Sequence, residues 1–251
     1  MNRVGAFLIH LGICLLVFVL LAYLVVFVWY PDFFFATDGG WQGIRIIAAV
    51  DLVLGPTLTL VVYRKGKPGL KTDLTLIALF QGICLFVGTY IVYIERPITM
   101  VYSDGQFFSM AADAYRDAGI EVPDLSMFPG SGPKWVTLAL PEDLEEQNKI
   151  RRAALRAQRP LRTYSELYVP FTLDMIDFDE AFAQDFLKVG DRFEQAIPRW
   201  LAEHGGELGD YAFFQMSARY SYVFLGIDVA QRKIIGILGT PAPGNQEAAA
   251  S

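Results

Sequence analysis

The sequence predicts a membrane protein in which three transmembrane helices are followed by an α+β soluble domain. Three apolar runs, residues 4–30, 46–63 and 74–94, each reach the roughly 18–20 residues that a helix needs to cross a bilayer. The rest of the chain is acidic, because residues 95–251 contain 15 Lys/Arg and 23 Asp/Glu for a net charge of −8. We therefore expect a membrane domain over 1–94 with spans at about 5–29, 45–63 and 73–94, a soluble domain over 95–239 and a disordered tail over 240–251.

Loop charge predicts how these spans are oriented. The second loop, residues 64–71, reads RKGKPGLK, whereas the first loop, residues 31–45, contains two Asp and one Arg. Positively charged loops remain in the cytoplasm, so we expect a bacterial inner-membrane protein with a cytoplasmic N-terminus and a periplasmic C-terminal domain. The first run is too long for a signal-peptide core, and we expect an uncleaved anchor. If the second run did not span, the charges of the two loops would be inconsistent with this rule.

Asp51 is the most informative residue of the membrane half, because a carboxylate inside a span costs about 3 kcal/mol on insertion scales. It lies about eight residues, or roughly 12 Å, from the outer end of its span, and Gln81 lies at a similar depth in the third span. Gln81 is therefore the expected partner, with Thr57 and Thr59 as alternatives in the same helix. His10 lies too near the cytoplasmic end to reach it. Since no second ionisable residue lines up with Asp51, ion or proton conduction is disfavoured, which leaves packing between spans or contact with another membrane segment.

The residues around Asp51 add two features. Pro56 removes a helical hydrogen bond and, with Gly55, predicts a kink that is either an ordinary feature of a membrane helix or a recognition feature. The outer loop contains three Phe and is expected to form an interfacial turn at the membrane surface. The candidates for helix packing or recognition are Asp51, Gly55, Pro56, Thr57 and Gln81, and those for the outer-loop interface are Trp41, Gln42 and Arg45.

One long segment carries a family resemblance. It begins with WYP at 29–31 and continues with DGGWQGIRIIAAVDLVLGPTLTL at 38–60. With the basic loop, the third span and Glu95-Arg96-Pro97, this segment resembles the type IV pilin accessory proteins of the TfpX/TfpZ type. The resemblance implies an inner-membrane protein that assists pilin stability, pilus assembly or surface piliation, and with it twitching motility. It implies the type IV major pilin as a partner, and no catalytic residue is carried over from it.

The C-terminal half predicts strands and helices without the regular βαβ order of a doubly wound sheet. Strands are expected at 97–108 with a hairpin turn at 103–105, and at 134–140, 168–173, 211–228 and 233–238, and helices at 111–118, 141–158, 178–188 and 191–204. The acidity of this half disfavours nucleic acid as a partner, because phosphate contacts need clustered Lys/Arg. Its basic cluster at 149–162 follows acidic residues at 142–146, as the helix dipole favours, so a solvated helix is preferred to an anion site.

No arrangement of residues in the sequence points to catalysis, a cofactor or a metal. Cys14 and Cys84 lie in separate apolar runs and His10 and His204 in different segments, so the sequence contains no Cys/His cluster. The acidic residues at 174–180 lack the spacing and glycine of a calcium loop and fit the first turn of a helix. We expect a non-enzymatic protein whose partners are the bilayer and the pilin. The alternatives are a membrane-bound pilin-modifying enzyme, disfavoured by so few spans, and an envelope sensor, disfavoured by the lack of a cytoplasmic signalling domain.

Overall fold

A computed structural model describes residues 2–181 and 191–239 of the chain. The chain forms two compact units: the first comprises Met1–Phe35 and Gly39–Arg96, and the second comprises Ala36–Asp38 and Pro97–Ser251. A short stretch between the first two spans thus belongs to the second unit. The predicted tail over 240–251 and most of the predicted helix over 178–188 lie outside the described residues.

The first unit contains three helices that are long and apolar enough to cross a membrane, Arg3–Trp29, Gly40–Val62 and Leu70–Ile94. We call them the first, second and third spans. The first span is α1, Arg3–Tyr23, continued by a π-helical segment, Leu24–Trp29, and the short helix α2, Phe34–Thr37, follows it. The second span consists of α3, Gly40–Ala48, a π-helical segment, Ala49–Leu54, and α4, Gly55–Val62, and the third span is α5, Leu70–Ile94.

The second span begins at Gly40, earlier than the predicted residue 45. Gly39 has a φ of 103°, a backbone conformation that suits glycine, and the helix starts directly after it. Trp41, Gln42 and Arg45 therefore lie in the first turns of this helix and not in an outer loop. The local turn signal at the two glycines was correct, but hydropathy placed the start of the span at about residue 45, where the continuous apolar run begins.

The three spans of the first unit approach one another closely near Val92, at the end that is predicted to face the periplasm. A Cβ added to Gly43 would lie 2.8 Å from a methyl carbon of Val92, so the second and third spans meet at a position where a side chain does not fit. Tyr30, at the end of the first span, is 1% exposed and donates a hydrogen bond to the Val92 carbonyl at 2.8 Å. All three spans thus converge around Val92.

The second unit is built on one mixed seven-stranded sheet in the order β4-β3-β1-β2-β5-β6-β7. The strands are β1 Pro97–Ser103, β2 Gln106–Ala111, β3 Lys134–Leu138, β4 Tyr168–Pro170, β5 Tyr211–Ser217, β6 Tyr222–Asp228 and β7 Lys233–Leu238. The β1–β3 and β2–β5 pairs are parallel and the other pairs are antiparallel. This sheet and the three apolar helices confirm the predicted fold class, a membrane protein with an α+β soluble domain.

Local turn and capping chemistry explains the boundaries in the second unit. The predicted hairpin between β1 and β2 is confirmed, and its turn residues Asp104 and Gly105 have φ of 53° and 71°, as a type I′ turn requires. The predicted strand over 211–228 is a hairpin of β5 and β6. The predicted helix over 141–158 is α7, Leu144–Arg156, which begins later because Asp143 is its N-cap and accepts two backbone N–H groups. The described residues also form the α-helices α6, Ala112–Asp117, and α8, Asp191–His204.

A chain of hydroxyl groups crosses the core of the second unit. The side chain of Thr99 lies 2.7 Å from Tyr115 Oη, which lies 2.9 Å from Tyr168 Oη, and Tyr168 donates to the carbonyl of Arg162. These groups lie in a core cluster made by Val101, Met110, Tyr115, Phe128, Val136 and Tyr168. Burial raises the pKa of Tyr115 and Tyr168, so both phenols stay protonated and are able to donate hydrogen bonds.

Replacing Tyr168→Phe is expected to lower the free energy of unfolding of the second unit by about 1–2 kcal/mol, because the hydroxyl of Tyr115 and the carbonyl of Arg162 lose a buried partner. Urea unfolding of the full chain in detergent, followed by tryptophan fluorescence, measures the change. Tyr222→Phe is the matched control, since Tyr222 is 52% exposed. Equal unfolding curves for the two variants would contradict this account of the hydroxyl chain.

Candidate functional site

Gln81 and Asp51 meet inside the first unit and bring the three spans together. Gln81 Nε2 donates to Asp51 Oδ1 at 2.7 Å and lies 3.1 Å from Cys14 Sγ, so the cluster contains one residue from each span. Asp51 is 2% exposed and Gln81 is 6% exposed. The bilayer core contains no water that could form hydrogen bonds with a polar side chain. A hydrogen bond between spans is therefore favoured over an unpaired amide or carboxyl group.

Gly55 makes room for the Gln81 side chain. A Cβ added to Gly55 would lie 1.7 Å from Gln81 Oε1 and 2.3 Å from its amide carbon, so any larger residue at 55 would displace the amide. Gly55 lies one helical turn after Asp51, on the same side of the helix. The two residues therefore form a single receptor for Gln81, in which Asp51 accepts the hydrogen bond and Gly55 leaves the space.

The helix carrying Asp51 is π-helical from Ala49 to Leu54. The Gly55 N–H bonds to the Val50 carbonyl, five residues back, and Pro56 follows without an N–H to donate. The structure thus has a π-helical segment directly before the proline, and the predicted kink at Gly55-Pro56 stays a prediction. Such segments are frequent at functional sites, because they re-aim side chains within a helix.

The other predicted candidates are divided between the inside and the outside of the first unit. Thr59 is buried but lies 2.6 Å from His10 Nδ1, and Thr57 is exposed, so neither residue partners Asp51. The His10–Thr59 pair was missed by the sequence analysis. A signal existed, because His10 follows the start of the first span by a few residues and Thr59 precedes the end of the second span by a few, which places both near the same membrane face.

Two oxygen atoms of the cluster have no hydrogen-bond partner within the described residues, Asp51 Oδ2 and Gln81 Oε1. Both atoms are buried, and the side chains that carry them are sealed from the outer surface of the spans. The arrangement therefore fixes the helices against one another. Direct contact of the Asp51 carboxyl with a helix of another protein would require these spans to separate, so burial favours packing over recognition.

A second buried carboxylate lies in the second unit, where the stretch Ala36–Asp38 joins the sheet. Asp38 is 3% exposed and accepts hydrogen bonds from Ser109 Oγ at 2.6 Å and Thr37 Oγ1 at 2.7 Å. The backbone N–H of Arg219 lies 3.3 Å from the same carboxylate, and the N–H of Tyr220 donates to the Thr37 carbonyl at 3.1 Å. The stretch is thus tied to β2 and to the β5–β6 turn.

Burial dominates the electrostatics of Asp38. It raises the pKa of this carboxyl above its ordinary value of 3.8, against hydrogen bonds from Ser109 and Thr37 that stabilise the ionised form. The guanidinium of Arg219 pairs with Asp113 at 2.5 Å. Asp38 belongs to the family-like segment, but no local pattern predicts its partners, because Ser109 and Arg219 lie 71 and 181 residues away in the chain.

Comparison with known proteins points to one family. Residues 1–34 match the model for the fimbrial assembly protein FimB. The chain is similar to proteins of Dichelobacter nodosus: the fimbrial assembly protein of serogroup I is 27% identical over 201 residues, 75% of this chain and 76% of that protein. The fimbrial assembly protein of serogroups C1 and C2 is 34% identical over 97 residues, 38% of this chain and 73% of that protein. No solved structure matches the chain significantly.

Replacing Gly55→Ala is expected to destabilise the bundle of spans by about 1–3 kcal/mol, because the added methyl group displaces the Gln81 amide from Asp51. The matched control is Gly12→Ala in the first span, where a Cβ meets nothing within 4 Å. Unfolding of the full chain by SDS in mixed micelles, followed by circular dichroism, measures both changes. A Gly55→Ala variant as stable as the Gly12→Ala variant would show that the Gln81–Asp51 contact contributes little.

Asp38 is expected to contribute stability to the second unit that is lost as pH rises above about 3.9. Burial favours the neutral acid of Asp38, so the folded chain retains a proton that the unfolded chain releases above about pH 3.9. The stability that this proton contributes is present below that pH and is lost as pH rises through the raised pKa of Asp38. Asp38→Asn should reduce the loss of unfolding free energy as pH rises, and Asp117→Asn, which removes an exposed carboxylate, is the variant for comparison. A slope that survives in Asp38→Asn would refute the assignment.

Proposed function

This chain belongs to the family of fimbrial assembly proteins, and on that premise we propose that it assists pilus assembly through direct, non-enzymatic contact with the major pilin. A role in fimbrial assembly follows from the family, and the three apolar helices make the chain a membrane protein. The proposal adds the mode of action and the partner. It also assigns the chain to the TfpX/TfpZ type of type IV pilin accessory protein, on the strength of the segment at 38–60.

The observation that carries the proposal is the membership of Ala36–Asp38 in the second unit. These residues follow the first span, whereas the rest of the unit follows the third span. All of the chain in a folded soluble unit lies on one side of a bilayer. The second span therefore crosses to the opposite side and the third span crosses back. This supports three spans with the basic loop at 64–71 on the opposite side of the membrane, which the positive-inside rule assigns to the cytoplasm. The sheet domain is then periplasmic and the membrane is the inner membrane.

This topology suits a partner that is itself anchored in the membrane. A pilin before assembly has one membrane helix and a soluble part on the periplasmic side. A protein with spans and a sheet domain in the same two compartments is able to contact both parts. Because Asp51 and Gln81 are buried among the spans, we assign them to holding the bundle together. We assign contact with the pilin helix to the outward-facing apolar side chains, among them Leu16 in the first span and Phe86 in the third.

Fusions to alkaline phosphatase test the topology. A fusion after residue 239 is expected to be active, because the enzyme folds only in the periplasm, and a fusion at Lys67 in the basic loop is expected to be inactive. Immunoblots of both fusions control for expression. An inactive C-terminal fusion that is well expressed would overturn the periplasmic assignment, and activity of the Lys67 fusion would overturn the three-span arrangement.

Capture of the cognate major pilin tests the contact. The full chain, tagged and extracted in mild detergent, is expected to retain unassembled pilin, and a deletion strain is expected to lose surface pili and twitching motility. Normal piliation in the deletion strain would contradict an assembly role. The mass of pilin should be the same in strains with and without the gene, and a difference corresponding to a covalent group would favour a pilin-modifying enzyme.

A further inference from the structure

Only a small part of the surface of helix α7 is buried against the rest of the second unit. Ala154 is the one buried residue among its positions, all of which are described. Leu144 and Leu155 are 72% and 77% exposed, although both are apolar. They are about three helical turns apart and so lie on the same face, separated by roughly 16 Å. One exposed leucine is ordinary on a protein surface, but this helix presents two on one face.

Unpaired positive charge accompanies the second of these leucines. Lys149 pairs with Glu145 at 3.6 Å and Arg151 pairs with Asp104 at 2.6 Å. Arg152 and Arg156, in contrast, have no ion pair within the described residues, and both are exposed. Arg152 lies three positions before Leu155 and is its neighbour on the helix surface, and Arg156 follows the leucine directly in the chain. The helix dipole explains positive charge at this end, but it does not explain the exposed leucine between the charges.

Charge indicates what kind of surface fits this patch. The chain from residue 95 onward has a net charge of −8, so an exposed cluster of unpaired arginines is an exception on it. A complementary partner surface presents carboxylates around an apolar centre, and Arg is the cation most enriched at protein interfaces.

The number of charges favours a protein over a lipid surface. Basic segments that bind anionic lipid contain about four to eight Lys/Arg, whereas α7, all of whose positions are described, has two arginines without an ion pair. Two arginines beside one apolar side chain match the polar rim and apolar centre of a protein interface.

We propose that Arg152, Leu155 and Arg156 form the surface by which the second unit docks an acidic patch on the soluble part of the pilin. This inference rests on the proposed function, since it names the surface that makes the proposed contact. The two arginines supply attraction and orientation, and Leu155 enters the apolar centre of the partner patch. Because the charges lie at the rim and are exposed, binding depends on ionic strength.

The test measures binding of purified cognate major pilin to the full chain in detergent. The double variant R152E/R156E is expected to weaken the Kd by about tenfold, and binding by the unchanged protein is expected to weaken as salt is raised from about 0.05 to 0.5 M. Leu155→Ser should weaken binding without altering its salt dependence. The matched control is R116E/K233E, which makes the same change of net charge at exposed positions elsewhere on the unit and should bind as the unchanged protein does.

The outcomes separate this inference from the proposed function. If the unchanged protein binds pilin and R152E/R156E binds it equally well, the surface is wrong and the function stands. If the unchanged protein binds no pilin, both are wrong. Two further results would overturn the choice of partner. If the chain dimerises and R152E/R156E does not, the surface binds a second copy. If the chain binds phosphatidylglycerol vesicles and R152E/R156E does not, the surface binds lipid. Circular dichroism of each variant verifies that it is folded.

Discussion

Inside a bilayer a polar group has to find its partner within the protein, and the side-chain nitrogen of Gln81 finds two. The amide of Gln81 donates to Asp51 in the second span and reaches Cys14 in the first, so one side chain sets the relative register of all three spans. The neighbouring features serve the same contact. Gly55 leaves space for the amide, and the π-helical segment before Pro56 carries the Asp51 carboxyl. A second contact between spans, the hydrogen bond from Tyr30 to the Val92 carbonyl, joins the end of the first span to the third.

In the second unit another buried carboxylate, Asp38, joins segments that are distant in the chain. Asp38 reaches the sheet from a loop between two spans, and its hydrogen bonds to Ser109 and to the Arg219 backbone draw that loop into the fold. A domain assembled from two distant stretches of chain restricts membrane topology, because both stretches must emerge on the same side. The buried acid is therefore more informative about topology than hydropathy, which counts spans without relating one loop to another.

These two buried carboxylates bear on the function in the same way. Each is occupied with groups of its own unit, and each holds together parts of the chain that are far apart in sequence. Buried contacts of this kind stabilise the shape of each unit, which is consistent with the proposal that another protein binds at the outer surface. The outward-facing apolar side chains of the spans and the basic end of α7 are exposed, and they are the surfaces on which the proposed contact with the pilin relies.

The sequence by itself determined the three spans, the acidic α+β domain, the hairpin at Asp104-Gly105 and the similar depth of Asp51 and Gln81, because hydropathy, turn chemistry and helical rise are local properties of the chain. Only the tertiary structure decided that Gly55 receives the amide, that Thr59 pairs with His10, and that Ala36–Asp38 belongs to the second unit. These are contacts between distant segments. The partner of a buried polar group is chosen by how the segments pack, and no local pattern encodes that choice.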